Sequence, residues 1–146
     1  MTEAGTSKLY TPEILGLAVG LAQYPFDDAA EISSEARSRS CGSTLAISIK
    51  TQPDGSLDSV GLRVVACAIG QAAAMIFARG AKGKTPEGLM RARDALAQWL
   101  AHRGAVPEWA GIEILDAARH HPARHDAIMM PWRAAIQALS IAATPS

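Results

Sequence analysis

The sequence is short of the residue types on which several large classes of protein depend. Its 146 residues include only 2 cysteines, too few for a disulfide framework, which favours a reducing compartment, the cytoplasm. Aromatic residues make up 5% of the chain, and 14 basic residues balance 14 acidic ones. The composition therefore offers neither a basic surface nor a row of stacking aromatic rings. We expect no nucleic-acid partner and no attraction to an anionic membrane.

Long hydrophobic runs are also lacking. The best candidate, residues 14–22 (ILGLAVGLA), is too short for a membrane-spanning helix, which needs about 20 apolar residues. Glu3 and Glu13 precede it, where a signal peptide would carry basic residues. We therefore interpret the run as a buried helix and expect no membrane span. The length of the chain fits one domain over residues 1–146.

Hydrophobic periodicity places the predicted strands early in the chain and most of the helices late. Alternating apolar and polar residues predict strands over residues 27–37, 44–50 and 59–65. The triplet at residues 53–55 (PDG) is typical of a turn that joins the last two strands as a hairpin. The prediction is an α+β fold in which a small three-stranded antiparallel sheet is covered by about five helices.

Two predicted helices begin with the same signature. Residues 11–13 and 85–87 both read TPE, with an N-cap threonine, a proline in the first turn and an acid near the positive end of the helix dipole. The first of these helices is predicted to run to about Gln23. Another begins at Cys67, where the apolar period changes from two to that of a helix. A last helix is predicted with Pro131 in its first turn.

The two cysteines are the first candidates for a functional site. Cys41 and Cys67 stand at the ends of successive predicted strands, so an antiparallel hairpin would bring them to one end of the sheet, with the start of the last helix beside them. A lone cysteine is often only a small buried apolar residue. Here Arg37 and Arg39 precede Cys41, and Cys67 opens a helix, and both settings favour the thiolate form. We expect Cys41 to be the more reactive thiol.

A second candidate is a histidine cluster near the end of the chain. His120, His121 and His125 lie within six residues and Asp126 follows them directly. His121 and His125 would share one face of a helix, but Pro122 lies between them and argues against a continuous helix. Such a cluster either binds zinc or is solvent-exposed without a ligand. His125 and Asp126 are suitable in type to complete a metal site with the two cysteines.

The chain resembles the NifU/IscU-type iron–sulfur cluster assembly scaffolds, which have the SufE/NifU-like fold, over nearly its whole length. The order and spacing of several short stretches carry this resemblance. They are residues 9–15 (LYTPEIL), 41–43 (CGS), 66–72 (ACAIGQA), 83–85 (GKT), 122–127 (PARHDA) and 131–132 (PW).

The resemblance implies a cluster or zinc site formed by three cysteines and an aspartate, and the present chain has only part of that set. Cys41 and Cys67 fall on the first two family cysteines. Ser43 stands where the family has an aspartate, and Ala127 stands where it has the third cysteine. Asp126 occupies a position that is often histidine in the family. The implied cargo is an iron–sulfur cluster of the 2Fe–2S type, or zinc.

The incomplete ligand set leaves three functions open. The first is a scaffold that receives sulfur from a cysteine desulfurase and passes its cluster to apo iron–sulfur recipient proteins. Its missing ligand would be Asp126, then His125, then Ser43 in order of preference, or a homodimer would share one cluster. The second is a sulfur-transfer partner that carries persulfide on Cys41. The third is a metal-free binding module. The scaffold, which is not an enzyme, is the prediction.

Overall fold

The computed structural model describes residues 9–39 and 42–143 of the chain. Its strands are β1 (Ile32–Arg37), β2 (Thr44–Thr51) and β3 (Leu57–Val65), which form one antiparallel sheet in the order β1-β2-β3. The predicted α+β fold with a three-stranded antiparallel sheet is confirmed.

Most of the helices in the described residues follow the sheet. Within the described residues the α-helices are α1 (Pro12–Val19), α2 (Ala68–Gly80), α3 (Pro86–Leu100) and α4 (Pro122–Ala143), with 3-10 helices at Gly20–Gln23 and Ile112–His120. Both predicted threonine caps are present. Thr11 Oγ1 accepts from Ile14 N at 3.2 Å, and Thr85 Oγ1 accepts from Gly88 N at 3.0 Å. Among the described residues, none of the helices has the length and apolar character needed to cross a membrane.

The hairpin between β2 and β3 is closed by the predicted turn. Gly55 has φ +88°, which an L side chain rarely adopts, and its N–H donates to Gln52 O at 2.9 Å. Asp54 Oδ1 accepts from Ser56 Oγ at 2.6 Å and from Ser56 N at 2.9 Å. The turn residues therefore fix the register of the two longest strands.

Two of the predicted boundaries were wrong. The first strand begins at Ile32, not at Asp27, because Asp27 starts a turn in which its carboxylate accepts from Ala29 N at 2.9 Å. Pro131 lies in the middle of α4, not in its first turn. Pro122 begins that helix, where a proline is tolerated because the first N–H groups have no helical partner. Pro131 costs a backbone hydrogen bond, but it is buried in the core, and packing outweighs that loss.

The core lies between the sheet and the helices α2 and α4. Helix α4 packs on β1 and β2, α2 packs on β3, and the two helices pack on each other. Phe77 of α2 and Trp132 of α4 are fully buried and meet edge to face with ring centroids 5.3 Å apart. Trp109 stacks on Phe77 at 5.5 Å and donates its indole N–H to Ile76 O at 3.0 Å. This aromatic cluster fixes how the two helices approach the sheet.

Candidate functional site

One end of the sheet collects the backbone that carries the predicted site. Arg37 at the end of β1 pairs with Thr44 at the start of β2, and Thr44 pairs with Val65 at the end of β3. Ser38 N donates to Ser43 O at 2.8 Å, which closes the β1–β2 loop. Cys41 itself lies outside the described residues. Arg39 and Gly42 on either side of it are at the sheet end from which the chain leaves Val65 toward Cys67.

Cys67 occupies the N-cap position of α2. Its backbone is extended, with φ −64° and ψ 168°, and its free thiol is half-buried. Gln71 holds this turn, because its N–H donates to Cys67 O at 3.0 Å and its side-chain amide donates to Ala66 O at 2.9 Å. The first N–H groups of a helix point past its N-cap, so the position suits a thiolate or an anionic ligand.

Ala127 of α4 lies beside Cys67. A Cβ added at Gly70 would lie 3.5 Å from Ala127 Cβ and 4.0 Å from Cys67 Sγ, so the methyl group and the thiol face the same small space. Ala127 is fully buried. The position at which the family has its third cysteine is therefore next to one of the thiols that this chain retains, but a methyl group has no donor atom for a metal.

Asp126 contacts the β1–β2 loop and its own helix. Its Oδ2 accepts from Arg39 N at 2.7 Å, and its Oδ1 pairs with Arg133 Nη2 at 2.8 Å. The same Nη2 donates to Asp126 O at 3.0 Å. Both carboxylate oxygens are therefore engaged, and the start of α4 is tied to a residue two positions before Cys41.

The other two substitute ligands have different surroundings. His125 Nε2 lies 3.1 Å from both Ala118 O and Arg119 O at the end of the second 3-10 helix. Since carbonyl oxygens only accept, this nitrogen carries a proton, and Nδ1 is the ring's remaining acceptor. Ser43 is buried.

Two residues of the predicted histidine cluster, His120 and His125, lie at the end of the second 3-10 helix. His102 forms a tilted ring pair with His120, with centroids 5.2 Å apart, and His102 Nε2 and His125 Nε2 both lie close to Arg119 O, at 3.2 and 3.1 Å. Within the described ranges, which omit Cys41, no group of three or more His, Cys, Asp or Glu residues could hold a metal ion. The structure therefore neither tests nor replaces the predicted ligand set of Cys41, Cys67, Asp126 and His125.

Arg133 is the site residue that sequence reasoning missed. It lies seven residues after Asp126, which is about two helical turns along the same face of α4. This spacing is the signal in the sequence that could have indicated the pair. Its pairing with Asp126 is visible only once α4 is known to begin at Pro122.

Comparison with known proteins gives structural relatives. No protein-family model matches the sequence, and no curated protein matches it. The structure is similar to the crystal structure of a nitrogen-fixing NifU-like protein (N-terminal) from Brucella abortus, with TM-score 0.84 and 27% identity over 94% of this chain and 96% of that one.

A second relative has the same fold at lower identity. It is a putative iron–sulfur cluster assembly scaffold protein for the SUF system from Fervidobacterium islandicum, with TM-score 0.79 and 18% identity over 90% of this chain and 96% of that one. A third, a hypothetical protein, has TM-score 0.66 and 14% identity over 87% of this chain and 96% of that one. The last two matches concern the fold alone. The first match confirms the resemblance that the sequence motifs indicated, and the second agrees with it in fold.

Proposed function

We propose that this chain, which has the fold of the NifU/IscU-type scaffolds and resembles them in sequence, is an iron–sulfur cluster assembly scaffold. Its cargo is an iron–sulfur cluster or a metal ion, which it holds through Cys41, Cys67 and a ligand that is not cysteine. The observation that supports this most is the hydrogen bond of 2.7 Å from Arg39 N to Asp126 Oδ2. It joins the loop that carries Cys41 to the start of α4, beside Cys67.

The donor atoms decide which cargo fits. Two thiolates are soft ligands that suit iron–sulfur clusters and zinc alike. Asp126 is the first choice for the missing ligand, because its carboxylate already lies at this end of the sheet. His125 is second, and Ser43, whose neutral hydroxyl is a weak donor, is third. A carboxylate in place of a thiolate makes a 2Fe–2S cluster more labile, which suits a protein that holds its cargo transiently, whereas zinc tolerates the mixed set.

The chain's own groups are suited to this role. Cys67 stands at the N-cap of α2, where the first N–H groups of the helix favour an anionic ligand, and Arg39 stands two positions before Cys41 in the sequence. In this proposal a cysteine desulfurase delivers sulfur to the site, and apo recipient proteins take the finished cluster. A homodimer that shares one cluster would supply further thiolates from the second copy.

A second candidate function is persulfide transfer through Cys41. Two observations favour it: Ala127 offers no ligand, and both oxygens of Asp126 are already hydrogen-bonded or ion-paired. A persulfide carrier needs only one reactive thiol and no third or fourth ligand. Sulfur delivered by a desulfurase would then be held on Cys41 as a persulfide until it is transferred to an acceptor.

The test is anaerobic reconstitution with iron and sulfide, followed by quantitation of bound metal and an absorption spectrum. Cys41→Ala and Cys67→Ala should each abolish binding, and Asp126→Ala should weaken it more than His125→Ala does. Asp28→Ala is the control, since Asp28 also pairs with an arginine, Arg63, at 3.0 Å and is not among the proposed ligands.

Two results would contradict the scaffold function. If the four variants retain as much metal as the parent protein, the proposed site does not exist. If the parent binds no metal but mass spectrometry finds added sulfur on Cys41 after incubation with a desulfurase and cysteine, persulfide transfer replaces it.

A further inference from the structure

The carboxylate of Asp126 makes polar contacts with two other residues at this end of the sheet. It accepts from the backbone of Arg39 at 2.7 Å and pairs with Arg133 at 2.8 Å. The bond to Arg39 spans 87 positions of sequence, so it closes a large loop of the chain. We call these three residues, Arg39, Asp126 and Arg133, the latch.

The surroundings of the latch make its ion pair different from a pair on the open surface. The side chains of Arg133 and Asp126 are only 37% and 27% exposed. Arg133 Nε is buried and, within the described residues, has no hydrogen-bond partner. The guanidinium therefore relies on the carboxylate and on Asp126 O for its contacts, both made through Nη2. Partial burial also means that solvent screens the attraction less than at an exposed pair.

A metal held by the thiolates would compete for the same negative charge. A carboxylate that moved toward the metal would lengthen its bonds to Arg39 N and Arg133. A cation bound at Asp126 would also be repelled by the positive guanidinium of Arg133, which is close by. The two states, latched and metal-bound, therefore exclude one another at least in part.

We infer that Asp126 exchanges between the latch and the cargo, and that Arg133 is a positioning residue that opposes metal binding and favours release. The inference rests on the proposed function, because it concerns the ligand that completes the site. In the empty protein the carboxylate holds the end of β1 against α4. When a metal is loaded, the carboxylate leaves Arg133, and the return of the ion pair helps to displace the metal.

This exchange predicts opposite effects for the two partners of one ion pair. Arg133→Gln removes the competitor and should tighten Zn²⁺ binding about two- to fivefold, the range expected for a partly exposed ion pair. Asp126→Asn removes the anionic ligand and should weaken Zn²⁺ binding about tenfold or more. Arg63→Gln is the control, because Arg63 makes an ion pair of similar length, 3.0 Å, with Asp28 on the open surface and should leave the affinity unchanged.

The experiment is a titration of metal-free protein with Zn²⁺ against a competing chelator, with circular dichroism to show that each variant is folded. Amide hydrogen exchange at Arg39 provides a second measurement that does not depend on the variants. It should be slow in the metal-free parent and faster once Zn²⁺ is bound.

The possible results separate the inference from the function on which it rests. If Arg133→Gln and Asp126→Asn both weaken Zn²⁺ binding, or neither changes it, the pair is only structural and the exchange is wrong, while the scaffold function stands. If Arg39 stays equally protected with Zn²⁺ bound, the exchange is also wrong. A parent protein that binds no Zn²⁺ contradicts the proposed function itself.

Discussion

Ala127 is the single residue that most limits what the site can bind. Its methyl group and the thiol of Cys67 face the space left by the absent side chain of Gly70. A thiol in place of this methyl group would change the proposed site from two cysteines to three.

We predict that Ala127→Cys increases iron and zinc retention, because it adds a third soft ligand beside Cys67. The measurement is metal content after reconstitution and dialysis against a chelator. Ala135→Cys, which adds a thiol at another fully buried alanine of α4, is the matched control and should give no gain. Equal retention by the two variants would show that position 127 does not face the metal.

For individual residues, the sequence predicted the candidate ligands better than it predicted their hydrogen-bond and ion-pair partners. It identified Asp126 as a candidate ligand from its place in a motif, and that placement stays a prediction. It did not indicate that Arg39 N and Arg133 would engage both carboxylate oxygens, because the first contact is made between distant parts of the chain. Nor did it indicate that His125 Nε2 would be taken up by the carbonyls of the 3-10 helix.

Among the elements, the β2–β3 hairpin depends on a turn whose charge can be titrated. The Ser56 hydroxyl, and then the Ser56 backbone N–H, donate to the Asp54 carboxylate and hold the pKa of Asp54 below its usual range. A carboxyl whose pKa is lower in the folded state stabilises the protein at pH values above its unfolded pKa, about 4. That stabilisation is lost as the pH falls through the folded pKa.

We therefore predict that Asp54→Asn lowers the melting temperature at neutral pH and makes it less dependent on pH between about pH 5 and pH 2. Thermal unfolding followed by circular dichroism across this range is the measurement. Asp58→Asn, at an exposed position of β3, is the control and should keep the pH dependence of the parent. If the melting temperatures of Asp54→Asn and the parent depend on pH in the same way, the charge of Asp54 does not stabilise the turn.

Elements with local signals were predicted correctly, and those decided by tertiary packing were not. The caps at Thr11 and Thr85 and the turn at Gly55 are formed by residues within four positions of one another. Pro131 departs from the local rule because packing in the core around Trp132 allows α4 to continue through it. The first strand was predicted too long because the weak alternation over residues 27–37 did not show where the Asp27 turn ends and the strand begins.

In the whole molecule, the aromatic cluster makes the helices and the sheet depend on one another. All three tryptophans, Trp99, Trp109 and Trp132, are buried, and two of them contact Phe77 directly. Loss of α4 from the sheet would therefore expose the cluster at once.

We predict one cooperative unfolding transition, with coincident midpoints by tryptophan fluorescence and far-ultraviolet circular dichroism in urea. Trp132→Ala should destabilise the protein by about 3–5 kcal/mol, because it opens a cavity in the cluster. Leu15→Ala, at an exposed position of α1, is the control and should change stability little. Separate midpoints for fluorescence and circular dichroism would contradict the expected single domain.

The position of α4 in the chain has a consequence for the order in which the protein is made. The three strands and α2 leave the ribosome before α4, and domains fold as units with earlier segments available first. A nascent chain that has emerged as far as α2 carries both thiols, but it has neither Asp126 nor Arg133. The segments that carry the thiols therefore meet Asp126 and Arg133 in a single late event, the docking of α4 onto β1 and β2.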